Sequence, residues 1–476
     1  MANPFSLIIA GVDSGANLLD LPAPAATTTP YVELSSLSLT LSADGAPGAM
    51  NFTVIEPKTP SGNLPWWRSG GVYDNARVQF FDSRYSATTP LFLGYISNIQ
   101  GELLENGIGT RASVQVTGVT GWLQQTIVRN GKTGIRATSF VDSFTLGTST
   151  STDRDIINGL LARVAAQQTD ASTLQLLNTA VISGATRAIY TGSAQTIGKQ
   201  TFKATTLQSA LDSVAEAAGG IAEVQYRFWI DGNGRLNYGP KTVASTYATA
   251  PAEIVTDPAN IQTGSAASVT RLFARDLSVN LDHDNIVKGI FVMADSAYAR
   301  YDSNQTWPTA PTNDPYFRTY TGTYSRNGAG LASRNGPLPH EVFSAPKIVK
   351  KSDRGVDIGA LARGTMTTRA QPRRTVSFTI AGGNLSQTAS PDWEYGYTQG
   401  YALTAAATYT LVKAWLPGQY VKITAPALDL SSTVLYIPEV TMRFADGGGT
   451  YQVQYEIQAD FRRQYIKGLR GLIAGE

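Results

Sequence analysis

The chain has no cysteine and only two histidines, His283 and His340, in 476 residues. The first absence excludes disulfide staples, thiolate metal sites and cysteine nucleophiles together, while leaving the compartment open. The second removes most of the usual supply of general bases. Charge is scarce as well. Asp, Glu, Lys and Arg make up 16% of the residues, against about 25% in an ordinary soluble chain. The 38 basic and 36 acidic residues leave a formal net charge of +2, so no global field draws in nucleic acid or an anionic membrane. No apolar run approaches the roughly 20 residues that cross a bilayer. The start, MANPFSLIIAGVDSG, has no basic leader and its apolar run stops at Asp13, so no cleaved signal peptide is expected. What remains is a chain with 42% hydrophobic residues, ample for packed cores and long enough for several domains. Its polarity comes from Ser, Thr, Asn and Gln, a habit of β-rich extracellular and particle-forming proteins.

The clearest architecture lies between Thr205 and Pro240. Leu207, Leu211, Val214 and Ala218 recur on one helical face, with Thr205 and Gln208 as a capping box and Gly219-Gly220 as the stop. The period then changes. Val224, Tyr226, Phe228 and Ile230 alternate with Glu223, Gln225 and Arg227, the run Asp231-Gly232-Asn233-Gly234 turns the chain, and Leu236 and Tyr238 resume the alternation. Upstream, residues 1–127 show short strands: Leu37, Leu39 and Leu41; Met50, Phe52 and Val54; Val78 and Phe80; Leu91 to Ile96; Ala112, Val114 and Val116. Turn signals every ten residues or so point to a barrel or sandwich. A helix is predicted over Asp153 to Ala166, capped by Thr152 or Asp153, with Ile156, Leu160 and Val164 inward. Strands return near Val269, a long polar passage occupies 296–339, and another helix is expected near 353–369. Val376, Phe378 and Ile380, then Val440, Met442 and Phe444, then Tyr451, Val453, Tyr455 and Ile457 mark the last strands. Residues 461–476 form a basic, partly apolar tail.

Motifs that carry chemistry are thin. Asp282-His283-Asp284 places its neighbours on opposite faces of a strand, and no G-x-S-x-G elbow or H-E-x-x-H helix occurs. Gly131-Lys132-Thr133 lacks the preceding glycine of a phosphate loop, since Thr126 stands there. Gly107-Ile108-Gly109 lies between two strands and reads as a hairpin turn rather than a dinucleotide site. Asp231 and Asn233 begin like a calcium loop, but Arg235 stands where the third oxygen ligand belongs. Asp392 and Glu394 beside Trp393, Tyr395, Tyr397 and Tyr401 are the best enzymatic candidates, since paired carboxylates and aromatic rings serve glycoside hydrolysis. The segment reads as a loop, so sugar or partner contact through Trp393, Tyr395 and Tyr397 is preferred to catalysis. Trp66 and Trp67 are interface anchors or a lid on the first barrel. The cluster Lys347, Lys350, Lys351 and Arg354 and the pair Arg373-Arg374 read as solvated faces. No catalytic, cofactor-binding or metal-ligating residue is assigned.

The order of elements resembles a family. The strand FLGYI after VQFFD, the unit LQSALDSVAEAAGG…FWIDGNGRLNYGP, the run DLSVNLDHDNIVKGIFV, and LPGQYVKI with VTMRF…YQVQYEI together resemble the hub proteins of phage tail tips. These are related to contractile-tail baseplate hubs and type VI secretion spike bases. The resemblance implies a mainly β protein with an α+β insertion: two tube-like β-barrels, at 1–127 and 266–460, around a mixed region at 128–265. It implies a homotrimeric ring adapting a sixfold tail tube to a threefold tip, in a virion tail assembled in the host cytoplasm. The implied partners are a distal tail protein ring, a tape-measure protein, tip or central-fibre proteins, and genomic DNA passing through the lumen without sequence recognition; stable membrane insertion is not implied. The chain ends soon after its last strands, so a cell-wall-degrading or receptor role is expected of other proteins. Two rival readings stand beside this one: a carbohydrate-binding adhesin or glycosidase of a virion, and a β-rich structural protein of another particle.

Overall fold

A computed structural model describes residues 5–9, 31–43, 45–56, 76–82, 89–104, 109–128, 143–167, 188–203, 205–222, 226–240, 252–255, 270–273, 275–282, 289–294, 317–319, 325–326, 329–330, 340–345, 373–381, 417–418, 420–446 and 451–460. Its first strands are β1 (Phe5–Ile9), β2 (Tyr31–Ser42), β3 (Ala49–Glu56), β4 (Arg77–Asp82), β5 (Phe92–Leu103) and β6 (Thr110–Gly118). A mixed stretch follows: α1 (Thr120–Gln125), β7 (Ile127–Val128), β8 (Ser143–Leu146), α2 (Asp153–Gln167), β9 (Ile189–Tyr190), β10 (Gln200–Lys203), β11 (Thr205–Thr206), α3 (Leu207–Ala222), β12 (Tyr226–Ile230) and β13 (Leu236–Pro240). Then come β14 (Ala252–Val255), β15 (Thr270–Phe273), β16 (Arg275–Asp282), β17 (Gly289–Ala294), β18 (Phe317–Thr319), β19 (Ser325–Arg326), β20 (Ala329–Gly330) and β21 (His340–Ala345). The last strands are β22 (Arg373–Ala381), β23 (Tyr420–Ala425), β24 (Leu430–Asp446) and β25 (Tyr451–Asp460).

The protein is mainly β. Thirteen of these strands form one branched sheet, in the order β1-β4-β5-β6-β3-β2-β24-β23-β14-β15, with β25, β22 and β16 branching from β24. The branch is possible because β24 is 17 residues long. At Glu439 it has Ser42 of β2 on one edge and Gln458 of β25 on the other. At Tyr436 it has Tyr420 of β23 and again β25, so β2 and β23 share one edge in succession. Among the described residues no ring of strands closes on itself. Alternation supplies the core, because successive side chains leave opposite faces. Leu39 lies opposite both Met50 and Met442, and all three are buried. Phe5, Phe80 and Phe444 meet edge-on and stacked at 5.0 to 5.8 Å between ring centres, which joins the two ends of the chain. In β2 the buried phase shifts between Leu34 and Leu37 through a bulge. There the Ser36 hydroxyl donates to Glu33 O at 2.6 Å and accepts the Thr53 N–H at 2.8 Å.

A second core belongs to the α+β unit. Ile156, Ile157, Leu160, Leu161 and Val164 of α2 pack with Leu207, Leu211 and Val214 of α3 and with Phe228, Leu236 and Tyr238 of the β12–β13 hairpin. Strand β5 serves both cores: Phe92 and Ile96 belong to the sheet core, Leu93 and Tyr95 to the other. A strand covered on both faces loses its alternation, which is why FLGYI reads as an unbroken apolar run.

Candidate functional site

The α+β unit is seated on the sheet through the β12–β13 hairpin, and several independent contacts build the seam. At the hairpin tip the Asp231 carboxylate holds the turn. Its Oδ1 accepts the N–H groups of Asn233 and Arg235 at 3.0 and 2.9 Å, and Oδ2 accepts Asn237 Nδ2 at 3.2 Å. Both oxygens are spent on the turn, so the calcium-like pattern is a hairpin, as its third position indicated. Gly232 lies so close to the Pro90 carbonyl that any Cβ there would collide with it.

Arg227 and Trp229 alternate with the buried Tyr226 and Phe228 and serve the seam. Arg227 Nη1 donates to the Tyr436 hydroxyl at 2.8 Å. Its guanidinium lies 4.5 Å from the Trp229 ring centre and 5.6 Å from that of Tyr436, which itself leans on Tyr420 at 5.3 Å. Aromatic faces thus meet the charge. Gly418, at φ +89°, passes directly under this guanidinium, where a Cβ would clash. A third tie is Gln208 Nε2 donating to the Gly45 carbonyl at 3.1 Å.

Beside these ties lies a cleft of about 350 Å³, lined among others by Pro90, Leu91, Thr120, Trp229, Asp231 and Pro417. Asp231 is the one ionisable side chain in its lining among the described residues, and it is already committed. Among the described residues the cleft is thus lined by apolar and hydrogen-bonding groups around one committed carboxylate. Sequence reasoning missed Arg227, Gly418 and Tyr436 because their partners lie about two hundred positions away. The one local signal was Trp229, a large ring out of phase with the core residues of its strand.

The interface or sugar-contact candidates Trp66, Trp67, Trp393, Tyr395 and Tyr397 lie outside the described residues, as do Tyr401, Asp392, Glu394, His283, Gly131, Lys347 and Arg354. The expected helix near 353–369 and the tail 461–476 lie outside them too, as does most of 296–339. His340 opens β21 opposite Gly289, and Arg373 opens β22 opposite Asp282. Among the described residues no group of three or more His, Asp or Glu is placed to hold a metal ion, and no helix is long and apolar enough to cross a membrane.

No protein-family model and no curated protein matches the sequence. Solved structures do match the fold. A tail protein from Neisseria meningitidis superposes with a TM-score of 0.51 at 10% identity, over 96% of this chain and 97% of that one. The prophage MuSo2 tail protein from Shewanella oneidensis does so with a TM-score of 0.50 at 10% identity, over 95% and 97%. The fold is shared with these two tail proteins. At such identity the likeness concerns architecture, and it runs through the sheet, the α+β unit and the late strands alike. The resemblance read from the order of elements thus has a structural counterpart over nearly the whole chain.

Proposed function

We propose that this chain is the structural hub of a phage tail tip or baseplate, without enzymatic activity of its own. In this reading residues 1–127 and 266–460 supply two barrel-like walls and 128–265 the inserted unit. Three copies form a ring that joins a sixfold tail tube to a threefold tip and lets DNA through its lumen. The distal tail protein ring and tape-measure protein lie on one side, and tip or central-fibre proteins on the other. Trp66, Trp67, Trp393, Tyr395 and Tyr397 are assigned to contacts with neighbours. The observation that carries the reading is the match of nearly the full chain to tail proteins in both directions. The sheet is consistent with it, since its strands come from both ends of the sequence.

Light scattering on the purified full chain, alone and with its distal tail neighbour, tests the ring. A threefold mass is expected, and a monomer under both conditions would overturn it. Imaging of the assembled particle with the chain labelled then tests its place at the tail tip.

A further inference from the structure

Asp153 Oδ2 and the Tyr238 hydroxyl, both deep in the α+β unit, are among the buried polar atoms without a hydrogen-bond partner. Both residues are 1% exposed, and buried polar groups are seldom left so. Asp153 is otherwise fully engaged. Its Oδ1 accepts the N–H groups of Arg154 and Gln195 at 2.9 and 3.0 Å, and its own N–H donates to the Gln195 carbonyl at 2.9 Å. The rings packed on Tyr238 are Tyr226 and Tyr190, at 5.5 and 6.2 Å between centres. Their hydroxyls are spent elsewhere: Tyr190 donates to Asn158 Oδ1 at 2.8 Å and Tyr226 to the Ser193 carbonyl at 3.3 Å. That leaves one free donor and one free acceptor, and the Asp153 carboxylate acts on Tyr238 at close range. We propose that the Tyr238 hydroxyl donates to Asp153 Oδ2, closing a buried phenol–carboxylate lock that ties the first turn of α2, the segment around Gln195 and strand β13 at one point.

The lock has a chemical consequence. It holds only while the phenol keeps its proton, because a phenolate would face a carboxylate in a dry site. Burial first, then Asp153, Tyr226 and Tyr190, hold Tyr238 well above the ordinary phenol range. Tyr190 beside it is also pushed up, by burial and by Asp153 and Asp155, against the pull of Arg154. The folded chain therefore keeps protons that the unfolded chain releases above about pH 10, and stability falls as pH rises from there.

The test uses the full chain and its Tyr238→Phe variant. Hydrogen exchange at the Gln195 and Arg154 amides is expected to quicken about tenfold, the scale of one lost hydrogen bond. The alkaline loss of stability is expected to shrink. Tyr190→Phe, whose hydroxyl serves Asn158, is expected to leave the Gln195 amide unchanged. Unaltered exchange and an unaltered alkaline profile in Tyr238→Phe would overturn the lock. If that variant fails to fold, phenol titration of the unaltered chain decides. Unfolding that coincides with the last ionisations supports the lock, and complete ionisation of a still-folded chain overturns it.

Discussion

Glu216 sits on the flank of α3, where loss of water, reinforced by Asp212 one turn earlier, pushes its carboxyl up to about 8. A raised carboxyl favours the fold while it is protonated. Its contribution is present below the ordinary Glu range and is lost as pH climbs towards about 8. Glu216→Gln is therefore expected to flatten this slope and raise stability at pH 8 by about 2 kcal/mol, checked by urea unfolding at a series of pH values. Arg227 poses the second question at this scale. Replacing it with Ala removes a hydrogen bond and two ring contacts, an expected loss of about 1–3 kcal/mol. Arg227→Lys should recover only part of this, because an ammonium cannot lie flat between rings as a guanidinium does. Limited proteolysis within the α+β unit and thermal unfolding read the loosening. Neither residue stood out in the sequence. A glutamate on a helix and an arginine in a strand are ordinary until burial and remote partners are known.

At the scale of elements, local chemistry told more. The helix over Asp153 to Ala166 was legible from Ile156, Leu160 and Val164, and the structure extends it to Gln167. It also chooses between the two caps. Thr152 Oγ1 accepts the Asp155 N–H at 3.3 Å while Asp155 Oδ2 accepts the Thr152 N–H at 2.9 Å, a capping box, and Asp153 is left free to turn inward. The bonds Asp155 Oδ2 accepts from the Thr152 N–H and, at 2.8 Å, from the Thr152 hydroxyl hold the Asp155 carboxyl below the usual carboxylate range. Thr152→Ala should cost about 1 kcal/mol at neutral pH, and the cost should fade in acid as Asp155 gains a proton, measured by thermal unfolding at both pH values. In α3 the local signals were less faithful. Thr206, whose Oγ1 accepts the Ser209 N–H at 3.2 Å, caps the helix in place of Thr205 with Gln208, and the chain stays helical through Gly219-Gly220 to Ala222. A glycine stop is a weak preference, and packing of Val214, Ala215 and Ala218 against the second core outweighs it. The short helix α1 went unread because six residues, with Trp122 and Leu123 buried together, are too few to show a period.

At the scale of the whole molecule, the expectation is assembly. Thirteen strands drawn from residues 5 to 460 share one sheet, and in the proposed ring that sheet meets its sister copies. Stable associations between such chains bury on the order of 1,200–2,000 Å². The threefold mass expected in light scattering should accordingly persist on moderate dilution.

The sequence by itself determined the kind of each clear element. It also excluded thiol chemistry, disulfides and helical membrane spans, because period and composition are properties a short window carries. Tertiary structure alone decided which strands became neighbours. The Thr40 and Thr441 hydroxyls meet at 3.1 Å across 401 positions, and β24 branches the sheet by offering one edge to β2 and then β23 and the other to β25. Alternation says which side of a strand is apolar. Which other strand that side will face depends on closing loops hundreds of residues long, and no local pattern encodes that.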